Sequence, residues 1–203
     1  MRESGLIKKK RKKTKPKTTD SRHRLFRYPN RIKDLKIPDS IWVSDITYLP
    51  LVNGDFVYLA LIMDQVTRKI VGWSLANSLH RSLCLKALNM ALEQNKPPRY
   101  HHSDRGVQYC SHEYINRLKI NNIIPSMADV GVSVDNPHAE ALNGSIKKEE
   151  VYRNEYHSMT EARLAIADYI HNYNHYRLHS SLDYRTPIEA EALIEKRSVV
   201  SLS

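Results

Sequence analysis

The run Ile41-Trp42-Val43-Ser44-Asp45-Ile46-Thr47-Tyr48-Leu49, the turn Asn53-Gly54-Asp55 and the apolar run Phe56 to Met63 decide how this chain folds. β-Branched and aromatic residues fill the first run, a hairpin signal follows, and the second run is almost continuously apolar, as a central strand should be. Lys69 to Leu75 reads as a third strand reached through the polar turn Asp64 to Arg68, so the chain opens with an antiparallel meander. Alternation along the first strand puts Val43, Asp45 and Thr47 on one face and Ser44, Ile46 and Tyr48 on the other. Asp45 therefore stands mid-strand among positions that normally hold core residues, and a charge there needs a reason.

Working outward, Leu83, Leu85, Leu88 and Leu92 recur at helical spacing until Pro97-Pro98 stops them, which predicts a crossover helix. Arg99 to Ser103 reads as a short strand ending at Asp104-Arg105-Gly106, Glu113 to Ile120 as a helix, and Ile123 to Met127 as a last strand. Three antiparallel strands followed by helix-strand-helix-strand predict an α/β fold with a five-stranded mixed sheet flanked by helices. Beyond Pro137 the pattern is helical to about Tyr152, again from Thr160 to about His175, and near Pro187 to Lys196. Glu140 falls on the first turn of the first of these helices, where the dipole favours an anion; Asn136 is suited to cap that turn and Pro137 to open it. Gly144 leaves the carboxylate uncovered one turn on, and Lys147 returns to the same face.

The 203 residues, 23.6 kDa with 41% apolar side chains, suffice for one buried core and an arm. Residues 1 to 36 carry 15 Lys/Arg against 3 Asp/Glu, so the whole net charge of +10 sits at the N-terminus and the remainder is slightly acidic. Such a block is expected to be a solvated, disordered arm whose partner is a polyanion. The expected organisation is a basic arm over residues 1–37, an α/β core over 38–155 and a helical extension of the same domain over 156–203. The longest apolar run, Val57 to Met63, is far too short to span a bilayer and no secretory signal follows the early lysines, so a cytoplasmic protein without membrane partners is expected. Cys84 and Cys110 are expected to be unpaired, and two thiols build neither a disulfide framework nor a thiolate zinc site. Asp64, which opens a turn, is the competing acid; His171, His175 and His179 read as a polar face interleaved with tyrosines rather than as metal ligands.

Thirty-five residues separate Asp104 from Glu140. Asp45-Ile46-Thr47-Tyr48, His102-Ser103-Asp104-Arg105-Gly106-Val107-Gln108-Tyr109, Asp135-Asn136 with Glu140, and Lys147-Lys148-Glu149 together resemble the catalytic motifs of DDE transposases and retroviral-type integrases. The resemblance is strongest to OrfB of the bacterial insertion-sequence group built from OrfA and OrfB. It extends to Asp64 with Arg68 to Trp73, and to Tyr173-Asn174, Arg177, His179, Leu182, Tyr184 and Thr186-Pro187, covering roughly residues 40 to 188. It implies an RNase H-like fold in which Asp45, Asp104 and Glu140 are the catalytic residues and the ligands of two Mg²⁺ or Mn²⁺ ions.

Electrostatics supports that assignment: two carboxylate charges ~4 Å apart cost on the order of 4 kcal/mol at an effective dielectric of 20, and oxygen ligands without thiolate favour hard divalent cations. The implied reaction is metal-dependent strand cleavage followed by strand transfer. Lys147, Asn136, Arg105, Arg177 and the arm residues Lys8, Lys9, Lys10, Arg11, Lys12 and Lys13 are the candidate DNA contacts, with capping the preferred role of Asn136. The implied partners are element ends and target DNA, further copies of the chain assembled on DNA, and an OrfA partner or fusion that supplies the family's helix-turn-helix segments. The sequence departs from the family pattern at Val134 and at Ala141-Leu142, positions that affect packing around the helix start. A second class, a DNA-binding remnant or inhibitor that has lost turnover, is disfavoured by the intact acids.

Overall fold

The computed structural model describes residues 16, 18, 23–33, 35, 40–129 and 136–200, with side chains to 196. Strands β1 (Ile41–Pro50), β2 (Phe56–Asp64) and β3 (Ile70–Ala76) form the expected meander. Helix α1 (Ser82–Gln94) crosses over to β4 (Tyr100–Ser103); the short α2 (Val107–Cys110) and α3 (His112–Ile120) lead to β5 (Ile124–Met127). The sheet order is β3-β2-β1-β4-β5, with β1, β4 and β5 parallel to one another. Helix α4 (Pro137–Ile146) runs into a π-helical turn (Lys147–Val151), then come α5 (Met159–His175), a 3-10 turn (Ser180–Leu182) and α6 (Pro187–Val200). Among the described residues no helix is long and apolar enough to cross a membrane, and both cysteines are free and buried.

Alternation on β1 divides the interior into two layers. Ile41, Val43 and Leu49 face α4 and α5, which contribute Ala139, Leu142, Ile146, Ala162, Ile166 and Ile170. Trp42 and Ile46 face α1 and α3, with Leu83, Ala87, Leu88, Tyr114 and Leu118. Helix α1 lies so close to β3 that a Cβ on Gly72 would stand 2.3 Å from the carbonyl oxygen of Ala87, which explains a glycine in a buried strand. The hairpin turn closes at Gly54 with φ 85°, and Asp64 Oδ1 accepts from the amides of Val66 and Thr67 and from the Thr67 hydroxyl, shaping the turn into β3.

Three features depart from the sequence expectation. Helix α2 was not foreseen, because four residues are too few to show a period. The run expected to stay α-helical to Tyr152 widens after Ile146, and Tyr152 N–H donates to the Lys147 carbonyl five residues back. The widened turn carries Glu149 to α5, where it accepts from Tyr169 and Arg177. Part of the segment read as a solvated arm is docked, so packed chain begins before residue 37. Leu25 and Tyr28 pack on the α1/α3 layer, Arg31 N–H donates to Ser126 Oγ on β5, and Ile32 and Leu35 pack on the opposite layer. The segment thus packs on both layers and is tied to the edge strand β5 through Ser126.

Candidate functional site

The pairing of β1 with β4 brings two of the three candidate acids together. Val43 is in register with His102 in this parallel pair, so two residues further along each strand Asp45 and Asp104 stand side by side on the face that α4 covers. Asp104 follows the last residue of β4, and its Oδ1 accepts from the Gly106 amide at 2.8 Å. A Cβ at Gly106 would approach that oxygen to 2.9 Å, so the glycine is what lets the loop curl tightly around the carboxylate.

Asp45 is largely buried. Its Oδ1 accepts from the Ile46 amide at 2.8 Å and its Oδ2 from the Asn143 carboxamide at 2.6 Å. Burial pushes its pKa up to about 7, and the neighbouring charges of Asp104 and, to a smaller extent, Glu140 push the same way against those two hydrogen bonds. All three acids therefore share one electrostatic environment. Glu140 stands exposed on the first turn of α4, above the strand ends. Among the described residues no three His, Cys, Asp or Glu side chains close into a cage around one point.

Helix α4 supplies the rest of the cleft. Glu140, Asn143, Gly144 and Lys147 recur on one face at three- and four-residue spacing. A Cβ on Gly144 would meet nothing within 4 Å, so the helix leaves room above the acids, as its sequence position implied. Lys147 rests its ammonium over the Tyr48 ring, 5.0 Å from the centroid, at the open end of this face. Asn143 is the residue contacting a candidate acid that sequence reasoning missed. Its signal was a polar side chain three residues beyond Glu140 in an otherwise apolar stretch. It is buried, it holds Asp45, and its own Oδ1 has no hydrogen-bond partner among the described residues.

Other candidates are engaged elsewhere. Asn136 does not cap α4: its carboxamide donates to the buried Ser44 carbonyl at 3.1 Å and pins the helix start to β1. The side chain of Arg105, read as a DNA contact, turns inward to the Ala128 carbonyl at 2.5 Å and Asp129 at 3.3 Å, tying the Asp104 loop to the end of β5. His23 bonds the Arg105 carbonyl at 2.9 Å from the docked N-terminal segment. Arg177 forms a forked ion pair with Glu149, the shortest contact being 2.8 Å. Asp64 sits opposite Trp42 in the β1–β2 ladder, three positions from Asp45, and is spent on its own turn. His171 and His175 stack on an exposed face while His179 packs on Tyr173, so the three histidines do not converge. Lys8, Lys9, Lys10, Arg11, Lys12, Lys13 and Asp135 lie outside the described residues.

The cleft thus offers oxygen donors alone, on rigid elements, with a buried carboxylate already destabilised by its neighbours. Such a donor set suits a hard divalent cation, since positive charge placed there offsets the burial and the carboxylate repulsion that together raise the Asp45 pKa.

Two family models, each described as an integrase core domain, match residues 36–133 and 121–187. The transposase for insertion sequence element IS629 of Shigella sonnei is 39% identical over 155 residues, covering 76% of this chain and 52% of the relative. Transposase InsF for insertion sequence IS3A of Escherichia coli is 38% identical over 146 residues, covering 70% and 50%. The chain spans about half the length of these curated relatives. Among solved structures, the HTLV-2 integrase catalytic core domain in complex with magnesium superposes with a TM-score of 0.60 at 16% identity, covering 76% of this chain and 97% of that one. The catalytic core domain of BIV integrase gives 0.59 at 15% identity, with 79% and 99% covered. This likeness shows the RNase H-like fold.

Proposed function

The chain belongs to the integrase core domain family, with insertion-sequence transposases among its relatives, and from that premise we propose that it is the catalytic part of such a transposase, a DDE polynucleotidyl transferase. The observation that carries the reading is the side-by-side placement of Asp45 and Asp104 on parallel strands beneath Glu140. Asp45, Asp104 and Glu140 would hold Mg²⁺ or Mn²⁺, two ions being expected. Such ions would supply Lewis-acid chemistry at a phosphodiester, activating the attacking oxygen and stabilising the departing 3′ oxygen.

The chain's own residues do the positioning. Asn143 and the Ile46 amide hold the Asp45 carboxylate in one orientation, and the Gly106 amide does the same for Asp104. Gly144 leaves the approach to the acids clear for a nucleic-acid strand, and Lys147 lies at its margin to meet a phosphate. Two reactions follow at one site: cleavage at an element end, with water or a DNA hydroxyl attacking, and attack of the freed 3′-OH on a target strand. The partners proposed are DNA, further copies of the chain assembled on it, and an OrfA-type partner or fusion for recognising the ends. The bacterial cytoplasm is the proposed place of work.

The test uses labelled duplexes carrying the element's terminal repeats, incubated with Mg²⁺ or Mn²⁺ with and without the OrfA product, and the strand products resolved. Cleavage and joining are expected, and both should vanish in Asp104→Asn. Retained metal-dependent products in that variant would remove Asp104 from the mechanism.

A further inference from the structure

Behind α4, on the side turned away from Glu140, lies a cavity of about 270 Å³ whose chemistry the catalytic reading does not use. His138 and Ser145 line it from α4, Arg68 from the turn before β3, and Tyr173, Arg177 and His179 from the end of α5 and beyond. Two guanidinium groups more than a hundred residues apart in sequence therefore converge on one space with two imidazoles.

The two guanidinium groups are served differently: one is paired directly, the other is not. Arg177 is matched by Glu149, which also accepts from Tyr169. Arg68 is half-buried and forms no ion pair with any described carboxylate; instead its Nη1 donates to the imidazole Nδ1 of His138. Asp64 lies near enough to act on Arg68, but its Oδ1 is occupied by Val66 and Thr67. A half-buried guanidinium held by a neutral partner is costly unless an anion completes it.

The neighbours are arranged to keep that positive field. Arg177 Nη1 lies 3.3 Å from His179 Nδ1, and Tyr173 packs edge-on to the same imidazole with centroids 4.9 Å apart. Burial, Arg177 and Arg68 hold the His179 pKa down to about 4, and the Glu149 charge opposes them only in part. Arg68 has φ 63° in the turn before β3, and its guanidinium is held at His138. The volume is several times the ~30 Å³ share of one water molecule, enough for a tetrahedral oxyanion and its waters.

We propose that this cavity is an oxyanion site that takes a phosphate group, with Arg68 as its principal ligand and Arg177, His179 and Ser145 completing it. Planar guanidinium forks favour bidentate recognition of phosphate, and hydroxyl and imidazole supply further donors. The phosphate can be a DNA backbone group or free inorganic phosphate. The proposal stands without strand cleavage, so an inactive chain that still binds phosphate would sink the catalytic reading and leave this one intact.

The experiment follows the His179 imidazole resonances by NMR while inorganic phosphate is titrated into the protein at constant ionic strength. A second arm repeats the titration with a duplex oligonucleotide of arbitrary sequence. The expected result is a saturable change in the His179 resonances with an increase of at least one unit in its pKa, absent in Arg68→Asn, a residue that tolerates the left-handed turn. If the duplex produces the change and Arg68→Asn lowers the salt dependence of DNA binding by about one ion, the occupant is a backbone phosphate. If only inorganic phosphate does so, the occupant is the free anion. Should Arg68→Asn fail to fold, Arg68→Lys, which keeps charge and loses the fork, is expected to weaken binding at least fivefold. No saturable change with either probe, or an equal change in the Arg68 variants, overturns the proposal.

Discussion

Replacing Asp45 by Asn should make the protein progressively more stable than wild type as pH rises from 5 to 8. The unperturbed carboxyl has a pKa of 3.8, whereas burial, Asp104 and Glu140 hold it at about 7 in the fold. Below pH ~4 both states keep the proton. Between ~4 and ~7 the unfolded chain releases it while the folded one does not, so stability is lost over that window and levels off above it. The rise from 3.8 to about 7, at ~1.4 kcal/mol per pH unit, sets an upper bound of ~4 kcal/mol, of which roughly 2.5 falls between pH 5 and 8; partial solvent contact at the cleft reduces this to about 1 kcal/mol. For a domain of this size that moves the unfolding midpoint by about 2–4 °C. The carboxamide keeps the Ile46 hydrogen bond, and Asn143 can turn its unpartnered Oδ1 toward the new amide, so any fixed offset cancels in the comparison. Thermal unfolding of both proteins in EDTA at pH 5, 6, 7 and 8 is the assay. A midpoint difference that stays flat across that range would refute the claim that burial and the neighbouring acids destabilise the Asp45 carboxylate. Adding Mg²⁺ at pH 8 should then raise the wild-type midpoint and leave Asp45→Asn nearly unmoved, because a cation bound only by the native state adds its binding free energy to stability.

Asn143→Ala removes a hydrogen bond to a charged group worth ~1.5–3 kcal/mol and should raise the Mg²⁺ needed for half-maximal cleavage about tenfold or more, read from a metal titration of strand nicking. Gly144→Leu places a side chain in open space: the unfolding midpoint should hold or rise by a degree or two, while cleavage of duplex substrate falls sharply. Gly72→Ala drives a methyl group into the α1 backbone and should cost about 1–3 kcal/mol, seen as a lower urea midpoint with an unchanged slope. Lys147→Gln should lower the salt dependence of DNA binding by about one ion without changing fold stability, measured by anisotropy at several salt concentrations.

The parts of the molecule that could be read from sequence are those where neighbours along the chain decide the outcome. β-Branched alternation placed β1 and its two faces, and the charge of Asp45 on a core face marked the site because such a position is expensive to fill without a function. Gly144 behaves as its helix position implied for the same reason, since i and i+4 geometry is local. The docked segment was hidden because Leu25, Tyr28, Ile32 and Leu35 follow an irregular path with no period, inside a stretch dominated by charge. Arg105 and Arg177 looked like open cations because their acceptors, Ala128, Asp129 and Glu149, are brought to them only by the sheet order and the widened turn after α4.

Asn136 shows which energy wins when local and distant demands compete. An Asn before Pro at a helix start is a sound cap on local grounds, worth ~1 kcal/mol. The folded chain spends it on the carbonyl of Ser44, in a residue only 1% exposed, just beyond the last β1–β4 register pair at Val43. Leaving such a carbonyl unpaired costs ~1–3 kcal/mol, whereas the first turn of α4 has less to lose, since Pro137 carries no N–H and the Glu140 N–H is already bonded to the Asn136 carbonyl. The same bond fixes the distance from α4 to β1, and with it the position of Glu140 relative to Asp45. An amide that local rules assign to capping therefore serves the geometry of the acids, and its removal should loosen the cleft rather than the helix.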